Sequence, residues 1–172
     1  MEDRLKPLAN EVVAIKDATA NNEFVDAVTG AIPETALVRG VYNEESLRSR
    51  WQNVRSGCQR VSMVPEEGAS LFQYFLSYFQ SVLLFTDPTL PKLDEDIDVS
   101  TLDTCKILSH ANHHIEQGDL EQAVRYLNQL KGLPKQVASD WLREATLLLE
   151  TSQAAAALSA HASASGLGSI SL

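Results

Sequence analysis

Cysteine is scarce in this sequence, and its scarcity excludes several small-domain architectures. Cys58 and Cys105 are the two cysteines among 172 residues, and they fit neither a C-x-x-C motif nor the spacing of a zinc ribbon. We therefore do not expect a disulfide scaffold or a structural zinc site. We interpret the two residues as buried or unused thiols.

Catalytic motifs are also missing. The sequence contains no G-x-S-x-G, no Walker loop and no G-x-G-x-x-G. His110 and His114 are four residues apart and share a helix face, as two metal ligands would, but no third ligand accompanies them. We therefore expect surface or interhelical histidines, no metal, no cofactor and no enzymatic activity. A metal-dependent enzyme built on these two histidines is the least favoured alternative.

The longest apolar stretch stops short of a membrane span. Residues 70–85, "SLFQYFLSYFQSVLLF", carry no charge, but a spanning helix needs about 20 apolar residues. Gln73, Ser77 and Gln80 fall on one narrow stripe of a helix and leave a wide apolar arc. This pattern favours the central helix of a bundle over an interfacial helix or a membrane span. Residues 1–20 are polar, so we expect no signal peptide.

The overall composition is typical of a globular, acidic protein. Hydrophobic residues make up 44% and charged residues 22%, which suits one packed domain with an appended arm. The net charge of −9 argues against a general nucleic-acid binder. It leaves room for a local basic patch.

Helical periodicity dominates the chain, and no segment stands out with the period of a strand. Residues 4–20 carry a 3-4-3 apolar spacing typical of the end of a coiled coil or of an amphipathic helix, formed by Leu5, Leu8, Val12 and Ile15. Further helices are predicted over 44–63, over 101–116, from Asp119 to Gly132, and from Pro134 onward. "IEQGDLEQAVRYLNQLKG" is typical of one tetratricopeptide-like (TPR-like) hairpin. The predicted fold is an all-α helical bundle with a TPR-like helical hairpin and an N-terminal coiled-coil end.

The helix over 44–63 holds the most informative pattern. An apolar stripe containing Trp51 runs along it, with arginines on both shoulders. This layout is typical of an interfacial helix, whose apolar side enters the acyl boundary while guanidinium groups meet lipid phosphates. The alternative is a soluble helix whose arginines pair with the acidic loop at 94–98. The candidate lipid-binding residues are Leu47, Arg48, Arg50, Trp51, Val54 and Arg55.

Several long phrases resemble one family. "AIPETALVRGVYNEESLRSRW", "SLFQYFLSYFQSVLLF", "IEQGDLEQAVRYLNQLKG" and "VASDWLREATLLLETSQAAAALSAHASASGLG" are similar to the C-terminal region of mitofilins, in the same order, from about Glu23 to Gly168. The resemblance implies a non-enzymatic, membrane-shaping scaffold that maintains crista junctions. It also implies a location at the mitochondrial inner membrane, facing the intermembrane space.

The resemblance further implies partners and boundaries. The expected partners are a CHCH-domain subunit of the MICOS complex, an anionic phospholipid membrane and further copies of the chain. An Arg-aromatic pair important for membrane contact falls on Arg50 and Trp51. In the intermembrane space, a disulfide from Cys58 or Cys105 remains open. The implied divisions are a coiled-coil end (1–20), an amphipathic lipid-binding segment (21–66), a C-terminal helical bundle (67–165) and a frayed tail (166–172). A TPR-like adaptor without membrane contact is the alternative function.

Overall fold

A computed structural model describes residues 5–19, 22–62 and 104–170, with the side chains of 167–170 excepted. Every helix or strand within these ranges is an α-helix, which confirms the predicted fold class. The apolar stretch 70–85 and the acidic loop 86–100 lie outside the described residues, so their predicted roles stay predictions. The helices are α1 (Ala9–Ala18), α2 (Glu23–Gly30), α3 (Glu34–Val38), α4 (Glu44–Ser62), α5 (Thr104–Gln117), α6 (Leu120–Leu127) and α7 (Gly132–Ile170).

Local sequence signals explain several helix ends. Asn22 caps α2, because its side-chain oxygen accepts hydrogen bonds from the backbone N–H groups of Phe24 and Val25. Asp119 caps α6 in the same way by accepting from the Gln122 N–H, as the sequence predicts. Gly118, which separates α5 from α6, has φ 81°, a left-handed conformation that suits glycine.

The chain divides into two compact units, one formed by residues 1–43 with 144–172 and the other by residues 44–143. In the first unit, a small core of Ile32, Ala36 and Leu147 is flanked by apolar side chains that include Leu8 and Val12. These last two belong to the stripe that predicts a coiled coil. They pack within the unit here, and a coil remains a prediction.

The first unit also holds a buried carboxylate and a tight backbone crossing. Arg39 donates to Glu144, whose side chain is only 5% exposed, and the Arg39 guanidinium lies 5.8 Å from the centre of the Tyr42 ring. Gly40 has φ 90°, and a Cβ there would stand 2.1 Å from the Lys6 carbonyl oxygen. Glycine is therefore required at this crossing.

The second unit is built around two tryptophans. The Trp51 and Trp141 rings lie 5.1 Å apart at 54°, and both side chains are buried. Trp141 Nε1 donates to the Leu47 carbonyl oxygen at 2.9 Å, and Cys58 Sγ donates to the Pro134 carbonyl oxygen at 3.4 Å. These contacts bring α4 against the start of α7.

Candidate functional site

The candidate site is α4, a helix whose charges suit its own dipole. Glu44 and Glu45 occupy the first turn and Arg60 the last, which places acids near the positive end and a base near the negative end. Residues 46–62 contain four arginines and no acidic residue. None of the described helices combines the length and the apolarity that crossing a bilayer requires.

The apolar stripe of α4 faces protein in this structure. Leu47 and Trp51 are both 0% exposed, and Val54 is half-buried. Trp51 Nε1 donates to Asn112 Oδ1 on α5 at 3.0 Å, so the indole is held by a hydrogen bond as well as by Trp141. The role of these residues in lipid binding therefore stays a prediction. It requires in addition that α4 separate from the core.

The arginines of α4 differ in their surroundings. Arg48 and Arg50 are exposed, whereas Arg55 is half-buried. Arg55 Nε is a buried atom with no hydrogen-bond partner in the described part of the chain. Arg48 also borders a cavity of about 10 Å³ with Ile115 and Gly118, which is about the volume needed for one water molecule. The predicted alternative partners of these arginines, at 94–98, lie outside the described residues.

Charge is unevenly distributed along the chain. Between 44 and 143 the described residues include nine Lys or Arg and six Asp or Glu, a net charge of +3, although the whole chain carries −9. Residues 63–103 alone hold eight Asp or Glu against one Lys. The basic surplus therefore belongs to the described helices of this unit, and residues 63–103 bring the charge of the unit as a whole to −4.

The histidines lie on α5 and meet α6. His110 is 8% exposed and stacks on the Tyr126 ring with centroids 4.9 Å apart. Burial, followed by the nearby His114 and His113, lowers the pKa of His110 below its ordinary value. In the ranges that the structure describes, no three His, Cys, Asp or Glu side chains are grouped so that they could hold a metal ion.

Neither cysteine forms a disulfide, and the two thiols have contrasting environments. Cys58 is buried against α7, and burial raises the pKa of its thiol to about 11. Cys105 is exposed at the start of α5. The sequence interpretation of buried or unused thiols holds for Cys58, and a disulfide with another protein would need the accessible Cys105.

A groove runs along the first unit between α1, α2 and the distal half of α7. Its volume is about 1070 Å³. Phe24, 43% exposed, stacks against His161 at 4.6 Å, and Asn22 is hydrogen-bonded to the His161 Nε2 at 2.8 Å. Apolar lining comes from Ile15, Ala18, Leu158 and Ala162. The sequence alone predicts no partner-binding residues here, because residues from three separate helices form this surface.

Sequence reasoning also missed the residues that hold α4. Trp141 lies in "VASDWLREA", where Ala138, Trp141 and Ala145 follow a 3-4 spacing that indicates a buried face. That signal was available, but it does not say which helix the face meets. Asn112 carries no sequence signal for its bond to Trp51.

Residues 1–163 match the family model described as "Mitofilin: Mitochondrial inner membrane protein". The chain is 45% identical to "MICOS complex subunit Mic60" of Drosophila melanogaster over 170 residues, which cover 96% of this chain and 23% of that protein. Proteins called MICOS complex subunit Mic60 from Neurospora crassa and Sordaria macrospora are each 33% identical, over 91% and 87% of this chain and 22% and 20% of their own length. The chain thus spans less than a quarter of these relatives. No solved structure matches it.

Proposed function

Because this chain belongs to the mitofilin family, we propose that it serves as a non-catalytic scaffold module of the MICOS complex at the mitochondrial inner membrane, facing the intermembrane space. The match of residues 1–163 to the family carries this proposal. The module would help to maintain crista junctions by meeting lipid on one surface and a protein partner on another.

Membrane contact on this proposal proceeds in two steps. The exposed Arg48 and Arg50 first meet anionic headgroups, where each basic residue contributes about 1 kcal/mol of attraction. Leu47 and Trp51 then leave the protein core and enter the acyl boundary. The transfer exchanges one apolar surrounding for another, so its main cost is the loss of specific packing and of the Trp51–Asn112 hydrogen bond. The four arginines of α4, with no acidic residue over 46–62, support the first step.

Protein contact is proposed for the groove of the first unit. Its exposed Phe24 and apolar floor suit the apolar side of a helix from the CHCH-domain subunit. Self-association through the N-terminal arm would bring several α4 helices to one membrane. Linked contacts of this kind raise the overall affinity without any new contact in each copy.

The second candidate function is a TPR-like adaptor that has no membrane contact. One observation favours it, namely the complete burial of Leu47 and Trp51. On this alternative α4 is a permanent part of the core, and its arginines serve only the protein surface.

Vesicle co-sedimentation separates the two candidates. We compare phosphatidylcholine vesicles with and without an anionic phospholipid, using the parent and the Arg48→Gln/Arg50→Gln variant. Loss of two basic contacts should weaken binding about thirtyfold. Arg125→Gln/Lys131→Gln is the matched control, because both side chains are exposed and the charge change is equal. It should change binding by less than about threefold. A parent that ignores anionic vesicles supports the adaptor.

A further inference from the structure

Three imidazoles are gathered on the hairpin of α5 and α6. His110 and His114 both stack on Tyr126, with ring centroids at 4.9 Å and 5.4 Å and interplanar angles of 6° and 19°. The His113 ring meets His114 edge-on at 5.7 Å. The group of His110, His113, His114 and Tyr126, called the histidine cluster below, has no role in the proposed function described above.

The cluster has little around it that would stabilise several positive charges. His113 Nε2 and His114 Nδ1 are buried atoms without hydrogen-bond partners among the described residues. At the turn between the helices, Asp119 Oδ2 lies 3.6 Å from His114 Nδ1 and could compensate one proton. Charged neighbours on the adjoining elements include Glu116 of α5, Glu121 and Arg125 of α6, which pair with each other, and Arg48 of α4, which lies beside Gly118.

Adding protons to this cluster costs free energy. Burial disfavours a charged His110 first, and the nearby His114 and His113 disfavour it further. The pKa of His110 is therefore lower when folded than the value of about 6.5 for an unfolded chain. Between these two values the unfolded or opened state binds more protons than the closed state. The contribution of neutral His110 to the stability of the closed state is thus complete above about pH 6.5 and declines as the pH falls below it.

The cluster adjoins the contact that closes α4 onto α5. Asn112 lies between His110 and His113 in the sequence and accepts the hydrogen bond of Trp51. Its amide nitrogen donates to Glu116, so the acceptor is oriented from within α5. A displacement of α5 that returns His110 to solvent would also move Asn112 and break its hydrogen bond with Trp51.

We propose that protonation of the histidine cluster at His110 loosens α5 from α4 and exposes Trp51. An anionic membrane surface supplies the acidity, because a surface potential of −30 to −50 mV raises the local proton concentration about three- to sevenfold. The release of α4 would then occur where lipid is present. Only this last consequence rests on the proposed function.

Tryptophan fluorescence tests the opening directly. Trp51 and Trp141 are the two tryptophans of the chain, and both belong to the buried pair. In the 172-residue chain without vesicles, the acrylamide quenching constant should rise about twofold or more between about pH 7.5 and pH 5.5, above the range in which ordinary carboxylates titrate. The emission should shift to the red over the same interval.

Two variants and one control tie the change to the cluster. His110→Phe keeps an aromatic ring over Tyr126 and removes the titration, so the rise in quenching should fall to less than about half of the parent's. His114→Gln should reduce it as well, and it provides the readout if His110→Phe lacks the parent's circular dichroism at neutral pH. His161→Gln removes a histidine of the other unit and should respond like the parent. A pH-independent parent, or an unchanged rise in both cluster variants, overturns the proposal.

A parallel vesicle measurement separates this inference from the proposed function. Binding to anionic vesicles without any acid-dependent quenching would support the membrane function and contradict the opening by protonation. Acid-dependent quenching without vesicle binding at either pH would support the opening by protonation and contradict the membrane function.

Discussion

Replacing Trp51 by alanine should strongly destabilise the protein in the complete absence of lipid. The side chain is 0% exposed, its ring lies 5.1 Å from that of Trp141, and its Nε1 donates to Asn112 Oδ1 at 3.0 Å. Truncating a buried tryptophan to alanine costs about 3–5 kcal/mol. Of this, the aromatic pair accounts for about 1 kcal/mol and the hydrogen bond for about 1 kcal/mol.

Urea denaturation followed by far-ultraviolet circular dichroism measures the effect without relying on tryptophan. With an m value of about 2 kcal/mol per molar urea, the midpoint should fall by about 2 M. Trp51→Phe retains most of the buried ring area and should lose only about 1–2 kcal/mol. Val38→Ala is the control, because Val38 is 68% exposed and its truncation should cost less than about 0.5 kcal/mol.

A shift in the Trp51→Ala midpoint no larger than that of Val38→Ala would contradict this prediction. It would mean that the indole contributes nothing to folding in solution, as expected of a side chain whose only role is to contact lipid. If the large shift is observed, a vesicle-binding defect in Trp51→Ala cannot be attributed to lipid contact. The exposed arginines are therefore the better variants for testing membrane binding.

Two further predictions concern buried polar groups. Arg39→Gln should lower the free energy of unfolding, measured by urea denaturation, by about 2–3 kcal/mol, because it removes the cation paired with the buried Glu144 carboxylate. The double variant Arg39→Gln/Glu144→Gln should recover part of this loss. Additive losses in the double variant would contradict a direct coupling. Alkylation timed by mass spectrometry at about pH 8 should modify Cys105 at least about a hundredfold faster than Cys58, because a thiol with a pKa of about 11 in a buried site is about one part in a thousand thiolate. Similar rates would show that α4 opens readily from α7.

Local signals were sufficient for most of the helical architecture. Asp119 before α6 and the break at Gly118 act through the backbone of their own few residues, so they can be read without knowing the rest of the fold. The 3.6-residue period likewise placed Leu47, Trp51 and Cys58 on one face of α4, and all three are buried. The resemblance to mitofilins also rests on local stretches of sequence that occur in the same order.

Tertiary structure decided what those apolar faces meet. The stripe of α4 packs on Trp141 and α5, and Leu8 and Val12 of the predicted coil pack beside Ile32, Ala36 and Leu147. A hydrophobic period indicates only that one face of a helix is shielded from water. Bilayer, partner helix and protein core satisfy it equally, since each removes similar apolar area from solvent. The choice among them depends on distant residues such as Trp141 and Asn112, whose positions follow from the whole fold rather than from the helix that needs them.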